Sequence, residues 1–433
     1  MKKIISLLMV LAMVFTLGLV SANADEGLTG EFTVLHFNNE ADTSGTAYGF
    51  WQAAKAFEAA NPNVTIHYEF VAHDDYESYI STLMAGDSLP DVFLAKGDLV
   101  SSLAEGDLIY AEETMIKEDA EWYSQYADGA FSDGSYNGVG YTVPFQMQAN
   151  CVVVYNQKIF EECGVESFPA TFTELLEIIP KFLEKGYTPI GLGNGGQWLA
   201  PSCLLNTFCY RYVDNEWFSS LRAGTGAKWT DEAIVNALTD FQNLAKAGAF
   251  NSDMNSIDQD GMYQLYYNQK CAMMINGAWM IGEVMANCPA DVFENTHVAL
   301  MPAVEGGLGE NKNTAAGAGW GWTVNKSVKD ENLTAVQAFL KAITTGDYAD
   351  KALEMGFFSA ANTTNVNSDA LNRLFKEYWE VEETMNFLPI WDVVLPASFG
   401  SGEYYASTQE LLISAITPEE MAERLQEAWE LAQ

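Results

Sequence analysis

Arginine is scarce in this chain. Only Arg211, Arg222, Arg373 and Arg424 occur in 433 residues, and the 21 Lys and Arg face 59 Asp and Glu, a formal net charge of −38. That imbalance argues against nucleic acid or anionic membrane surface as partners, because both are held by basic patches that displace counterions. Few guanidinium forks also weigh against a ligand recognised through carboxylate or phosphate groups. The phosphate loop G-x-x-x-x-G-K-(S/T) is missing, so the chain is not expected to hydrolyse ATP itself. H-E-x-x-H and G-x-S-x-G are missing too. The four histidines (His36, His67, His73, His297) are scattered. The six cysteines (Cys151, Cys163, Cys203, Cys209, Cys271, Cys288) form no C-x-x-C pair, which leaves open either up to three disulfides or buried free thiols. No metal, cofactor or catalytic group is expected.

What the chain does have is apolar and aromatic substance: 48% hydrophobic and 13% aromatic residues. This is too much for a disordered acidic polymer and enough for two or three domains with real cores. Lys2 and Lys3, an apolar run over 4–20 and Ser21-Ala22-Asn23-Ala24 read as a secretory signal peptide cut after Ala24. No cysteine lies near that cut, so a free periplasmic or secreted protein is expected rather than a lipoprotein. No later stretch approaches a membrane span.

Strand and helix signals then alternate, which favours an α/β fold. Strands are expected at 31–37, 64–70 and 91–95, and a strand buried on both faces at 152–155. Helices are expected around 50–57 and at 76–85, 173–185, 231–247, 260–268, 333–344 and 418–431. The 173–185 helix opens at Thr173 and the last at Thr417-Pro418-Glu419-Glu420. Glycine-rich stretches at 191–196 and 305–321 read as loops. Gly191-Leu192-Gly193-Asn194-Gly195-Gly196 matches G-x-G-x-x-G, but no second strand with an acidic end follows, so a turn is the better reading. Ser256-x-Asp258-x-Asp260-Gly261 imitates a calcium loop whose twelfth position is Tyr267, and reads instead as a helix cap. The Tyr266-Tyr267 and Tyr404-Tyr405 pairs read as packing. Abundant Trp, Asn and Gln with little Arg suit a neutral, polyhydroxylated ligand, whose C–H faces lie on aromatic rings.

Several segments together resemble the extracytoplasmic solute-binding proteins of carbohydrate ABC transporters, the maltose-binding-protein-like family 1. The carriers are residues 57–64, Ala85-Gly86-Asp87-Ser88-Leu89-Pro90-Asp91-Val92, residues 103–108, Tyr141-Thr142-Val143-Pro144, residues 154–160, 168–175 and 187–190, residues 268–274 with Asn276-Gly277-Ala278-Trp279, and Thr417-Pro418-Glu419-Glu420. They span nearly the whole chain after residue 24, in order. Asn268 departs from the family's usual Gly. The absence of a lipoprotein cysteine is a second departure.

The resemblance implies a two-lobed periplasmic-binding-protein fold of type II, with discontinuous lobes and a ligand cleft between them. Laid on this chain, the lobes comprise 29–146 with 318–370, and 147–317 with 371–433. It implies a non-enzymatic carrier that binds a sugar, a short oligosaccharide, and as a monomer delivers it to ABC permease subunits. The competing expectations are an extracellular glycoside-active enzyme, or a carrier of a polyamine or metal chelate. The cleft residues it implies are Asn38, Asn39, Glu40, Asp74, Lys96 and Asp98 on the first lobe, Gln146 and Gln148 at the first crossover, Trp198 and Trp279 on the second lobe, Trp320 at the return crossover, and Trp391 with Asp392 beyond it. Trp322, two residues past Trp320, is expected on the same face. Each tryptophan has a competing reading as core.

Overall fold

Among the described residues, three sheets of three or more strands and the helices packed on them organise the chain, beside a two-stranded ribbon of Ser135–Tyr136 and Val139–Gly140. The structure, a computed structural model, describes residues 27–432 apart from 128 and 397. The expected signal peptide, 1–24, lies outside the described residues.

Strands β1 (Gly30–His36), β2 (Val64–Phe70) and β3 (Val92–Ala95) are parallel, with β1 between the other two. Helix α1 (Gly45–Ala60) links β1 to β2 and buries Phe50, Ala54 and Phe57; α2 (His73–Ala85) links β2 to β3 and buries Tyr76 and Ile80. The spacing of these apolar residues makes one stripe per helix, and the stripe is what closes over the sheet. Two antiparallel strands from elsewhere complete this sheet: β4 (Val143–Pro144) and β11 (Gly321–Val324), the latter seated directly on β3.

A second sheet holds β6 (Val152–Asn156), β7 (Thr188–Gly191), β8 (Cys271–Asn276) and β9 (Thr296–Ala299), in the order β9-β6-β8-β7. The unbroken apolar run of β6 fits its place between two neighbours. A third, small sheet sets β10 (Asn313–Gly317) between β5 (Gln148–Ala149) and β12 (Asn386–Leu388). The 305–321 stretch is therefore not all loop. Its Asn-Thr-Ala-Ala-Gly sequence has little β character, and it is held as a strand by partners distant in sequence.

The buried apolar residues form two clusters. One draws on residues between Phe32 and Phe145 and between Trp320 and Ala361; the other on residues between Ala149 and Ala315 and between Leu353 and Trp429. Helix α3 (Phe172–Glu184) opens at Thr171, two residues before the expected start. The Thr171 hydroxyl and the Glu174 carboxylate bond each other's backbone N–H groups as a capping box. All six cysteines are free thiols, five of them buried. No helix among the described residues is long and apolar enough to cross a membrane.

Candidate functional site

The C-terminal ends of β1, β2 and β3 open onto a cavity of about 820 Å³, lined there by Phe37, Asn38, Asn39, Phe70 and Lys96. Crevices outside the carboxyl ends of parallel strands are the usual ligand sites of α/β sheets. Asn38 is pinned by its backbone: its N–H donates to His36 Nδ1 (3.2 Å), and its carbonyl accepts from Trp51 Nε1 (3.2 Å). Burial holds the His36 imidazole neutral, with its pKa lowered to about 4.

The facing wall comes from the other cluster. The 191–196 turn leads to Trp198, and its glycines allow close packing rather than a phosphate cradle: a Cβ on Gly193 would lie 2.0 Å from the Asp258 carbonyl oxygen. Asp258 caps helix α4 (Gln259–Tyr267), its carboxylate accepting from Gly261 N–H at 2.9 Å, as a capping turn should. Gln259, Tyr263 and Tyr267 recur at intervals of four on α4 and all line the cavity. Helix α5 (Trp279–Asn287) adds Trp279 and Glu283. The Trp279 indole folds back over Gly277, where a Cβ would lie 2.0 Å from the ring, and donates to Gln259 Oε1 at 3.2 Å. Trp198 and Trp279 stand 5.9 Å apart.

The crossovers supply Gln146, Gln148 and Trp320. Lys96 Nζ lies 5.0 Å from the Trp320 ring centroid. One bond spans the two walls: Trp198 Nε1 donates to Asp74 Oδ1 at 3.0 Å, and the His73 ring packs on Trp198 at 5.2 Å. The His73 hydrogen bond to Asp74, joined by that from Trp198, outweighs burial and keeps the Asp74 carboxyl below its usual range.

Acid is concentrated at one side of the cavity. Asp42, Asp260 and Glu283 all line it, and burial raises the pKa of each. Asp42 reaches about 6, with the charges of Glu283 and Asp260 adding to burial. Asp392 also lines the cavity; Tyr405 donates to its Oδ2 at 2.7 Å, while its buried Oδ1 has no partner among the described residues. Among the described residues, no group of three or more His, Cys, Asp and Glu side chains is arranged to hold a metal ion.

The cavity thus brings together Asn38, Asn39, Lys96, Gln146, Gln148, Trp198, Trp279, Trp320 and Asp392. The other expected residues stand outside it. Glu40 is exposed and paired with Lys55 at 2.7 Å. Asp74 sits behind Trp198 as its acceptor. Asp98 stands in the first turn of the helix Gly97–Glu105. Trp391 is fully buried, stacked on Phe218 (5.7 Å) and donating to the Tyr210 hydroxyl at 2.7 Å. Its hydrophobic surroundings come from distant chain segments, which its own neighbourhood in sequence does not reveal. Trp322 does not share the role of Trp320: it is buried and stacks on Phe50 at 5.2 Å. Tyr266 and Tyr404 are core, as expected of packing, whereas Tyr267 reaches the cavity and donates to Glu283 Oε1 at 3.0 Å. The signal for Gln259, Tyr263 and Tyr267 was available as one polar-aromatic helix face. For Asp42 and Phe70 no sequence signal stood out.

Comparison with known proteins gives three findings. The family model for bacterial extracellular solute-binding proteins matches residues 41–350. A putative binding protein of Brucella abortus is 22% identical over 243 residues, 55% of this chain and 57% of that one. The chain therefore matches little more than half the length of that curated relative. Among solved structures, a chitin oligosaccharide binding protein superposes with a TM-score of 0.81 at 21% identity, covering 93% of this chain and 99% of that one. The GacH receptor of Streptomyces glaucescens, solved unliganded and with acarbose, gives 0.74 at 22% identity, covering 94% and 98%. At these identities the structural likeness is one of fold, a type II two-lobed binding protein.

Proposed function

This chain belongs to the bacterial extracellular solute-binding proteins, and we propose that it binds a neutral sugar, a short oligosaccharide, without altering it. The sugar is held between two lobes and passed to the permease subunits of an ABC importer. The observation that carries this reading is the make-up of the cavity walls. Trp198, Trp279 and Trp320 offer flat apolar faces, and Asn38, Asn39, Gln146, Gln148 and Gln259 offer planar amide donors and acceptors between them. Pyranose rings present both kinds of surface at once. The sugars named for the two solved structures, chitin oligosaccharide and acarbose, agree with that chemistry.

The lobes in this reading are 29–146 with 318–370 and 147–317 with 371–433, and the protein acts as a monomer. The two buried clusters support this segmentation apart from Leu353, which lies in 318–370 but packs in the second cluster, and we place β5 and β10, side by side, in the hinge. Asn38, Asn39 and Lys96 bind from the first lobe and Trp198, Trp279 and Asp392 from the second, so ligand favours the closed form. Export rests on the sequence of residues 1–24; mass spectrometry of secreted material should find an N-terminus at Asp25.

A second reading has one observation in its favour. Asp42, Asp260 and Glu283 on one side of the cavity suit a cationic solute such as a polyamine. A thermal-shift screen across sugars, polyamines and metal ions separates the two. Stabilisation by sugars, with no product formed on long incubation, supports the carrier of sugars. Stabilisation by polyamines alone overturns it, and product formation supports a glycoside-active enzyme.

A further inference from the structure

Strand β2 places an aromatic ring where no core exists to receive it. Val64, Ile66, Tyr68 and Phe70 alternate along the strand and share one face. Val64 is buried, and Ile66 and Tyr68 pack against the first apolar cluster. Phe70 continues the same face past the end of that packing and is 58% exposed. The ladder nonetheless holds to this point: Phe70 pairs with His36 in register, and Val71 N–H donates to the His36 carbonyl at 3.0 Å. The ring is therefore aimed by a paired strand. Its aromatic contact is with the His36 ring, centroids 6.3 Å apart and the planes at 66°.

Eight large hydrophobic side chains are exposed among the described residues, and Phe70 is the one of them that lines the cavity. Scattered exposed apolar residues are ordinary on a protein surface. One at the mouth of an aromatic-walled cavity, on a strand end that faces the ligand crevice, calls for an occupant. The Phe70 side chain carries no polar atom, so to a neutral ligand it offers an apolar ring face and no hydrogen bond. The cavity is also large against the 300–1,000 Å³ range of small-molecule sites, with room for more than one sugar unit.

We propose that Phe70 forms an outer subsite of the cavity, stacking on the C–H face of a pyranose ring at the end of an oligosaccharide whose inner units lie against Trp198, Trp279 and Trp320. This rests on the sugar-binding reading above and adds to it a length preference: the ligand has at least one unit that protrudes towards the mouth. Phe70 sets how many units are counted, while the inner rings set which sugar is accepted.

Isothermal titration calorimetry with chito-, malto- and xylo-oligosaccharides of two to five units, on the full chain, tests this. In the series that binds, affinity should climb with length to a plateau. Phe70→Ala should remove only the last increment, about a 2- to 12-fold loss, the worth of one ring stack. Phe70→Trp should keep it, and the shortest binding member should bind all three proteins equally. Because Phe70 is exposed, the melting temperature of Phe70→Ala should match the parent, which separates lost binding from lost folding. Equal loss at every length, or loss at none, overturns the subsite while leaving the sugar carrier intact. Failure of every oligosaccharide to bind overturns both.

Discussion

Trp279 and Trp391 show how differently one residue type is used. Trp279 is poised on a cavity wall with its N–H on Gln259, whereas Trp391 is fully enclosed by Phe218, Trp229 and Tyr210. Trp279→Ala should weaken sugar binding at least tenfold by calorimetry and leave the urea midpoint nearly unchanged. Trp391→Ala should destabilise by about 3–5 kcal/mol in urea unfolding, the cost of emptying a core site of that size. The residue expected from the motif lines the cavity at Trp279 but lies in the core at Trp391, since burial depends on partners from far along the chain. The acids make a second residue-level case. Asp42 has its pKa at about 6 against a usual 3.8, so between those values the folded protein holds a proton that the unfolded chain has lost. Stability from this group falls as pH rises through that window. His36, lowered to about 4 from 6.5, acts in the opposite sense: the unfolded chain binds the extra proton, and stability rises with pH. The two oppose each other in the parent, so the difference between parent and variant is the informative quantity. Asp42→Asn should gain melting temperature relative to the parent at pH 7 and show no gain near pH 4, and a gain independent of pH would contradict the assignment.

Glycine acts at the level of elements, by letting two of them meet. Gly277 follows β8 and lets the first residue of α5 turn its indole back across the backbone. A methyl group there displaces the far end of a side chain rather than backbone, so Gly277→Ala should fold normally. It should nonetheless lose sugar affinity to nearly the extent of Trp279→Ala, because the ring leaves the wall. Gly193 differs, since its Cβ would strike the backbone carbonyl of Asp258 at the start of α4. Gly193→Ala should cost about 1–3 kcal/mol or more in chemical unfolding, as overpacking does. The regular elements were legible where the pattern is local. The apolar run of β6 and the stripes of α1 and α2 speak for themselves. Strand β10 was not legible, because its small residues state no preference and its partners lie at 148–149 and 386–388. The cavity face of α4 was half legible: the helix was clear, but not that Tyr263 and Tyr267 line the cavity while Tyr266 faces core.

For the whole molecule, the two buried clusters meet across an aromatic-lined cavity, and the Trp198 to Asp74 hydrogen bond ties the walls together. A ligand touching both walls should contract the protein in small-angle scattering and raise its stability by about 2.7 kcal/mol when present at 100 times its Kd. Sugar that stabilises without contraction would count against closure on ligand. The fold class and the order of elements were readable from several weak motifs in register, because each reports a local turn or cap. The depth of the cavity was not readable, since it arises from where the two walls come to stand. The placement of β11 has a last consequence, for the order in which the protein comes into being. Ala95 at the end of β3 is paired with Gly321, so during synthesis the edge of β3 waits through the making of the entire second sheet before its neighbour emerges. Until then the first sheet stays open-sided and its cluster lacks Trp320, Trp322 and Phe339. Such long-range pairing is slow to close. A nascent chain that cannot finish its first lobe early stays unfolded longer, the state in which a polypeptide is most easily threaded through a narrow pore.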